Sequence, residues 1–367
     1  MKKLTCTFTK KAKEGYPIFL GVDIYKKIPE LFKKLGVTKR LLIITDKKVE
    51  KLYGKSLLAL LKKNEYEVDL VAVPSGESSK SEMMKRRIER VLFKRSYGRD
   101  STILALGGGV VGDLAGFTAA TYLRGIPFIQ IPTSLLAMVD SSIGGKVGIN
   151  TSYGKNTLGA FHQPKAVIID LNCLKTLPKR HLLNGLMEAL KMFTVLDAKA
   201  FMNFQENKGE ILKGNLMLLE PLIQRAIELK IEVVSSDEKE KNERRLLNFG
   251  HTVGHALEKL SNYKMLHGFA VAYGMQIEAK LAHDLGYLLH EDYLTFSGLL
   301  NDLGFNLQKV KTYSPEKIIR YATFDKKMKN KTIHCVLLKQ IGAVFKAKKQ
   351  LAHPVADSTL LQTIHNL

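Results

Sequence analysis

Cysteine, acidic side chains and long apolar runs are all scarce in this chain, and each shortage removes a class of function. Only Cys6, Cys173 and Cys335 occur in 367 residues, far apart and with no C-x-x-C pair. An odd, widely spaced set argues for free thiols in a reducing cytoplasm and against a thiolate zinc site. No stretch reaches the roughly 18 apolar residues of a membrane span, so no membrane partner is expected. The opening MKKLTCTFTKKAKEG has two lysines but no apolar core behind them, so no secretion signal is read and the expected location is cytoplasmic. Acids number 35 against 57 basic residues, a net charge of +22. That balance invites a nucleic-acid reading. The lysines, however, are spread through KKAKEG, KRRIERVLFKR, DKKMKNK and KAKKQ, outside any nucleic-acid module and without interleaved aromatics. A solvated lysine-rich surface accounts for them, and no nucleic-acid partner is expected. Its field would speed the approach of an anionic substrate without making a site for one.

What is present is a globular composition, 45% hydrophobic and 25% charged, in a chain long enough for two domains. The first half alternates β-rich and helical runs. RLLIIT (40–45), EVDLVAVP, STILAL, PFIQIP and AVIID read as strands, while 47–64 and SEMMKRRIERVLFKR read as helices. Strand and helix in alternation imply an α/β layer with a largely parallel sheet. From about Pro178 the texture becomes helical, as in EPLIQRAIELKIEVVSSDEKE and FAVAYGMQIEAKLAHDLG, with strand-like character returning only around TIHCVLL. The expected division is therefore 1–178, an α/β domain, and 179–367, a mostly helical one.

Two glycine-rich stretches carry chemistry. STILALGGGVVGDLAG is a strand ending in Gly107, Gly108 and Gly109, then Gly112, which satisfies G-x-G-x-x-G. Glycines there let backbone approach a pyrophosphate while helix amides face the anion. The usual ribose-holding acid about 20 positions on is missing; Arg124 stands in that window. Asp46, after an earlier strand, could serve instead; a tight turn without ligand is the competing account. The second stretch, residues 132–164, combines Asp140, Lys146, Asn150, Lys155, Asn156 and His162 with five glycines. It lacks helix and strand signal and is expected to be a long functional loop whose amides and cations suit phosphates and hydroxyls.

Three of the ten histidines fall in LNFGHTVGHALEKLSNYKMLHG. His251 and His255, four apart, share a helix face one turn apart. Catalytic zinc takes three protein ligands and keeps a position open. His251 and His267 could supply two; His255 could be the third or an acid/base group. Glu188 is a carboxylate candidate, three residues from Lys191 on one face. With Thr252 after the first histidine, the H-E-x-x-H protease device is excluded.

Taken together, GGGVVGDLAGFTAATYLRGIPFIQIPTSLLAMVDSSIGGKVGIN, GKNTLGAFHQP and LNFGHTVGHALE…HG resemble the 3-dehydroquinate synthase family over residues 40–345. The resemblance implies an NAD-binding N-terminal domain, a helical metal-binding domain, an active site between them and a homodimer. It implies conversion of 3-deoxy-D-arabino-heptulosonate 7-phosphate to 3-dehydroquinate and phosphate. The steps would be transient oxidation, phosphate elimination, return of the hydride and aldol closure. Its metal would be zinc, with cobalt as a substitute, on Glu188, His251 and His267. NAD would meet Asp46, Glu77, Ser78, Ser79, Lys80, Gly109, Val110, Val111, Gly112, Asp113, Thr133, Ser134, Lys146, Lys155, Cys173, Leu174, Lys175 and Thr176. The substrate phosphate would meet Lys146, Asn156, Asn248, His255 and Lys326, with Arg124 reaching across the dimer. Lys230 and Arg244 would take its carboxylate; Asp140, Lys191 and Glu240 its hydroxyls. Asn242 stands where the family usually has glycine, and Phe269 where it usually has glutamate. Sister sugar phosphate cyclases of the valiolone or inosose type, and metal-dependent alcohol or glycerol dehydrogenases, are the alternative readings.

Overall fold

The computed structural model describes residues 15–324, 332–347 and 350–367. Its first half is a sequence of strands and covering helices. β1 (Ile18–Gly21) leads to α1 (Ile28–Lys34), β2 (Arg40–Asp46), α2 (Lys47–Val49), α3 (Lys55–Lys63) and β3 (Glu67–Val73). Then come α4 (Glu82–Lys94), β4 (Thr102–Gly107), α5 (Gly109–Thr121) and β5 (Phe128–Pro132), the hairpin β6 (Lys146–Thr151) and β7 (Gly154–Phe161), and β8 (Ala166–Asp170). Six of these strands form a parallel sheet in the order β1-β8-β5-β4-β2-β3.

Strands β4, β5 and β8 are buried at every residue, as parallel strands covered on both faces must be. The pleat sends alternate side chains to opposite faces. Leu41, Ile43, Leu104 and Leu106 pack with Ile28 and Phe32 of α1 and Leu57 and Leu61 of α3. Leu42, Ile44, Ile103 and Ala105 pack with Ile88 and Leu92 of α4 and Val111 and Leu114 of α5. Each such Leu or Ile taken fully from water contributes roughly 1.5–3 kcal/mol before entropy is set against it. Strand β3 lies outward of β2, and the chain then returns to lay β4 on the other side of β2. The winding direction therefore reverses between β2 and β4, and a crevice opens at their carboxyl ends, where doubly wound sheets take ligands.

After β8 the chain is helical through α6 (Lys179–Leu196), α7 (Ala198–Lys213), α8 (Leu216–Ser236), α9 (His251–Leu260), α10 (His267–Asp284), α11 (His290–Asp302) and α12 (Pro315–Phe324). The short strands β9 (Ile333–Cys335), β10 (Leu338–Gln340), β11 (Ala343–Val344) and β12 (His353–Val355) precede α13 (Asp357–His365). Helix α6 is buried continuously from Asn184 to Val195 and α10 from Ala270 to Ala279, so both are central rods and not surface helices. Gly250 is the N-cap of α9 at φ 76°, and a Cβ there would lie 2.7 Å from the Val271 carbonyl oxygen. Glycine is thus what lets α9 start hard against α10. No helix among the described residues is long and apolar enough to cross a membrane.

Two expectations are corrected. The helix expected over 47–64 is interrupted by a wider, π-type turn at Glu50–Gly54. The expected loop 132–164 is largely ordered into a helical turn at Ala137–Ser141 and the antiparallel β6–β7 hairpin. Its strand signal was hidden by glycine. Gly148 faces Gly159, and a Cβ on Gly148 would lie 2.7 Å from the Leu158 carbonyl oxygen. Close approach of the two strands requires the residue that weakens a strand pattern.

Candidate active site

Helices α6, α9 and α10 converge on one polar spot in an otherwise apolar core. His251 and His255 share a face of α9, their ring centroids 5.3 Å apart, and His267 opens α10 with its ring 5.2 Å from that of His251. Glu188, fully buried on α6, directs Oε1 at both outer histidines, 3.8 Å from His251 Nε2 and 3.4 Å from His267 Nε2. That oxygen makes no hydrogen bond, although its partner Oε2 accepts from Lys191 Nζ. Each imidazole is turned by its other nitrogen. His251 Nδ1 donates to the Phe249 carbonyl at 3.2 Å, and His267 Nδ1 donates to Glu258 Oε2 at 3.2 Å. Both acceptors leave Nε2 aimed inward. Two imidazole nitrogens and a carboxylate oxygen lie close enough for one ion, and the orphaned oxygen is the acceptor such an ion would satisfy. The donor set fits a divalent cation. A second group, His255, Glu258 and His267, is also close enough to hold one.

Electrostatics prepare the pocket for charge. Burial pushes the Glu188 carboxyl up, but Lys191 and the two histidines outweigh it and hold it well below its usual range. Burial, helped by Lys191, keeps His251 well below the ordinary imidazole value. His267 goes the other way: burial opposes its charge, yet Glu188 and Glu258 raise it to about 10. Around the pocket, buried Lys230 donates to Asp140 Oδ1 at 2.6 Å. Burial raises Asp140, and Lys230 and Lys191 bring it below normal. Buried Arg244 donates from Nη1 to the carbonyl oxygens of Gly144, at 3.1 Å, and Glu238, at 2.6 Å. Lys146 pairs with Glu240, whose Oε1 accepts from Asn248 Nδ2 at 2.8 Å. Desolvation works against the Glu240 carboxylate, and Lys146 with Asn248 lowers it nonetheless.

The crevice at the sheet edge is built differently. Asp46 ends β2 and caps the next helix, Oδ1 accepting from the amides of Lys48 at 2.8 Å and Val49 at 3.3 Å and from Ser75 Oγ at 2.6 Å. Gly107 ends β4, and Gly109, Val110, Val111, Gly112 and Asp113 form the first turns of α5. The Thr133 amide donates to the Gly107 carbonyl at 2.9 Å, so the Thr133–Ser134 turn lies beside the glycines. Glu77, Ser78 and Ser79 make a single turn after β3. Buried Lys80 donates to Asp113 and to Asn156 Oδ1. Burial outweighs Lys80 at Asp113 and raises its carboxyl. Asn156 has a left-handed backbone, φ 56°, and its amide donates to Asn150 Oδ1 at 3.0 Å. Lys155, beside it, reaches Glu258 Oε1 at 2.8 Å, so the hairpin joins the crevice to the histidine pocket.

The remaining expected residues fall in separate places. Cys173, Leu174, Lys175 and Thr176 lie in the turn after β8, where Tyr25 OH is 3.3 Å from Cys173 Sγ and Thr176 bonds Tyr53. Asp23, Tyr25, Tyr53 and Cys173 line a cavity of about 280 Å³ there. Arg124 is exposed on the turn after α5, joined to the cluster by no hydrogen bond or ion pair among the described residues. Lys326 lies outside the described residues. Asn242 has a negative φ, −148°, outside the left-handed region that favours glycine, and Phe269 packs edge-on to Phe305 at 5.2 Å. The sequence reading missed Glu258 and gave Asn150 no partner. Glu258 follows His251 by seven residues and His255 by three, so helical spacing already put it on the histidine face. Asn150 Nδ2 donates to Glu77 Oε1 at 2.8 Å, a contact with no signal in spacing.

Comparison with known proteins agrees with this architecture. Residues 70–184 match the family model "3-dehydroquinate synthase N-terminal" and residues 185–328 the model "3-dehydroquinate synthase C-terminal". A 3-dehydroquinate synthase of Thermoanaerobacter pseudethanolicus is 44% identical over 329 residues, 89% of this chain and 92% of its own. Among solved structures, a 2-epi-5-epi-valiolone synthase from Streptomyces hygroscopicus with NAD+ and Zn2+ bound superposes with a TM-score of 0.87 at 27% identity. It covers 98% of this chain and 99% of its own. A 2-deoxy-scyllo-inosose synthase complexed with carbaglucose-6-phosphate, NAD+ and Co2+ gives 0.86 at 26% identity, covering 97% and 98%. By both halves of its sequence, the chain belongs to the 3-dehydroquinate synthase family.

Proposed function

We propose that the chain is a 3-dehydroquinate synthase, a lyase that converts 3-deoxy-D-arabino-heptulosonate 7-phosphate to 3-dehydroquinate and phosphate, using NAD and one divalent cation. The observation that carries the reading is the meeting of Glu188, His251 and His267 from three helices around an orphaned buried oxygen, in a chain of this family. When bound, NAD supplies a hydride acceptor that returns what it takes, and the cation polarises the substrate's oxygens. Asp46, the Glu77–Lys80 turn, Gly109–Asp113, Thr133, Ser134 and Cys173–Thr176 are the residues that would seat the nucleotide. Lys230 and Arg244 would receive the carboxylate, each exchanging an internal partner for it. Lys146, Asn156, Asn248 and His255 would hold the phosphate as it leaves. Asp140, Lys191 and Glu240 would hold the hydroxyls, keeping the reacting atoms close enough for successive steps in one site.

Zinc is the preferred metal and cobalt an acceptable one for two histidines and a carboxylate. We also read residue 178 as the domain boundary, the enzyme as cytoplasmic, and the working unit as a homodimer. Support for the compartment is the buried free thiol of Cys173. Support for the dimer is Arg124, a cation of the expected site that is exposed and unattached to it. The test is incubation with the heptulosonate phosphate, NAD and zinc, following phosphate release and product identity. Phosphate should accumulate without net NADH, because the hydride returns. NADH growing in step with product would favour a dehydrogenase instead.

A further inference from the structure

We propose that Glu258 is a positioning residue: it orients His267 for the metal and ties the β6–β7 hairpin to the same point. This rests on the metal reading above. Glu258 is buried on α9, and both of its oxygens are engaged. Oε2 receives His267 Nδ1 at 3.2 Å, and Oε1 receives Lys155 Nζ at 2.8 Å. The ammonium of Lys155 also lies 4.6 Å over the ring of Tyr263, just past the end of α9. A carboxylate here accepts from both neighbours, so it fixes the proton of His267 on Nδ1 and turns Nε2 toward Glu188 Oε1, 3.4 Å away. Outer carboxylates of this kind set the tautomer and ring orientation of a metal-binding histidine. The second oxygen adds a mechanical link. Lys155 is the second residue of strand β7, next to Asn156, so one side chain sets the distance between the metal pocket and the strand that carries part of the nucleotide and phosphate machinery.

The rival assignment makes Glu258 a ligand itself, with His255 and with His267 bridging two ions. Zinc affinity and stoichiometry, measured by chelator competition on the full chain without substrate, separate the two. Wild type should bind one zinc. Glu258→Ala should weaken it about 10- to 100-fold. Glu258→Asp should weaken it in the same direction, because removing one methylene withdraws the acceptor from Nδ1. Glu258→Gln, of the same length, keeps an oxygen for Nδ1–H and should retain most of the affinity. A role through charge alone reverses that order, Asp holding zinc and Gln losing it, and would overturn the proposal. So would wild-type affinity in both Ala and Asp variants, or two zinc ions falling to one. If Glu258→Ala does not fold, the order of Asp and Gln carries the test. Amide exchange across residues 154–161 should speed up in Glu258→Gln and in Lys155→Met; unchanged exchange would remove the tether. Wild type binding no zinc at all would sink the metal reading first and this inference with it, a result distinct from any confined to the variants.

Discussion

The sheet-edge crevice and the histidine pocket are built by different means. At the crevice, much of the polar surface is main chain, the glycine turn and the first amides of α5, with the Asp46 carboxylate added as a helix cap. Its parts lie at the ends of neighbouring parallel strands, so the sheet brings them together automatically. In the pocket, every working group is a side chain, and most of the charges are buried with a counter-charge in place: Glu188 with Lys191, Asp140 with Lys230, Glu258 with Lys155. Backbone sites tolerate substitution of their side chains. Side-chain sites hold desolvated charges whose partners cannot be removed singly without leaving an uncompensated one.

The largest effect should come from dismantling the pocket. His251→Ala and His267→Ala should each lose bound zinc and turnover together, while His255→Ala keeps the metal and loses rate. Glu188→Ala should lose the metal and also about 3–5 kcal/mol of folding free energy, because Lys191 then stays buried without its nearest counter-charge. Metal analysis beside urea unfolding of chelator-stripped protein checks this. Metal depletion in His255→Ala, or equal unfolding energies for the Glu188 and histidine variants, would mean that the pocket does not hold its charges in this way.

A smaller effect is expected at the rim. Arg244→Ala should cost roughly 2–4 kcal/mol of transition-state binding, about 30- to 1000-fold in kcat/KM. A heptulose phosphate lacking the carboxylate should be a poor substrate that is nearly indifferent to the change. Arg244 also bonds the Gly144 and Glu238 carbonyls, so equal harm to both substrates would assign it to scaffolding.

The smallest effect belongs to the crevice. Asp46→Ala should lower stability by about 1 kcal/mol through the lost cap and weaken NAD binding, leaving zinc affinity unchanged. Asp46→Asn keeps a cap oxygen and should restore the stability. Titration calorimetry with NAD and with zinc on the same variant decides it; a fall in zinc affinity would show that the two regions are not separable.

Sequence by itself determined the parallel α/β half, the helical half, the strand–glycine–helix turn and the shared face of His251 and His255. These depend on side-chain period and on local backbone freedom, which act over a few residues. It offered Glu188 as a carboxylate candidate for the metal, and the family resemblance joined it to His251 and His267, but spacing alone could not bring the three together. That meeting depends on α10 packing as a buried rod against both α6 and α9. The β6–β7 hairpin was illegible because the glycines that let its strands approach erase the pattern by which strands are recognised. Tertiary structure alone chose the partners of the buried charges: Lys230 on Asp140, Arg244 on two carbonyls, Glu258 between His267 and Lys155. A desolvated charge takes the nearest opposite group, and which group is nearest is set by the packing of segments far apart in the chain.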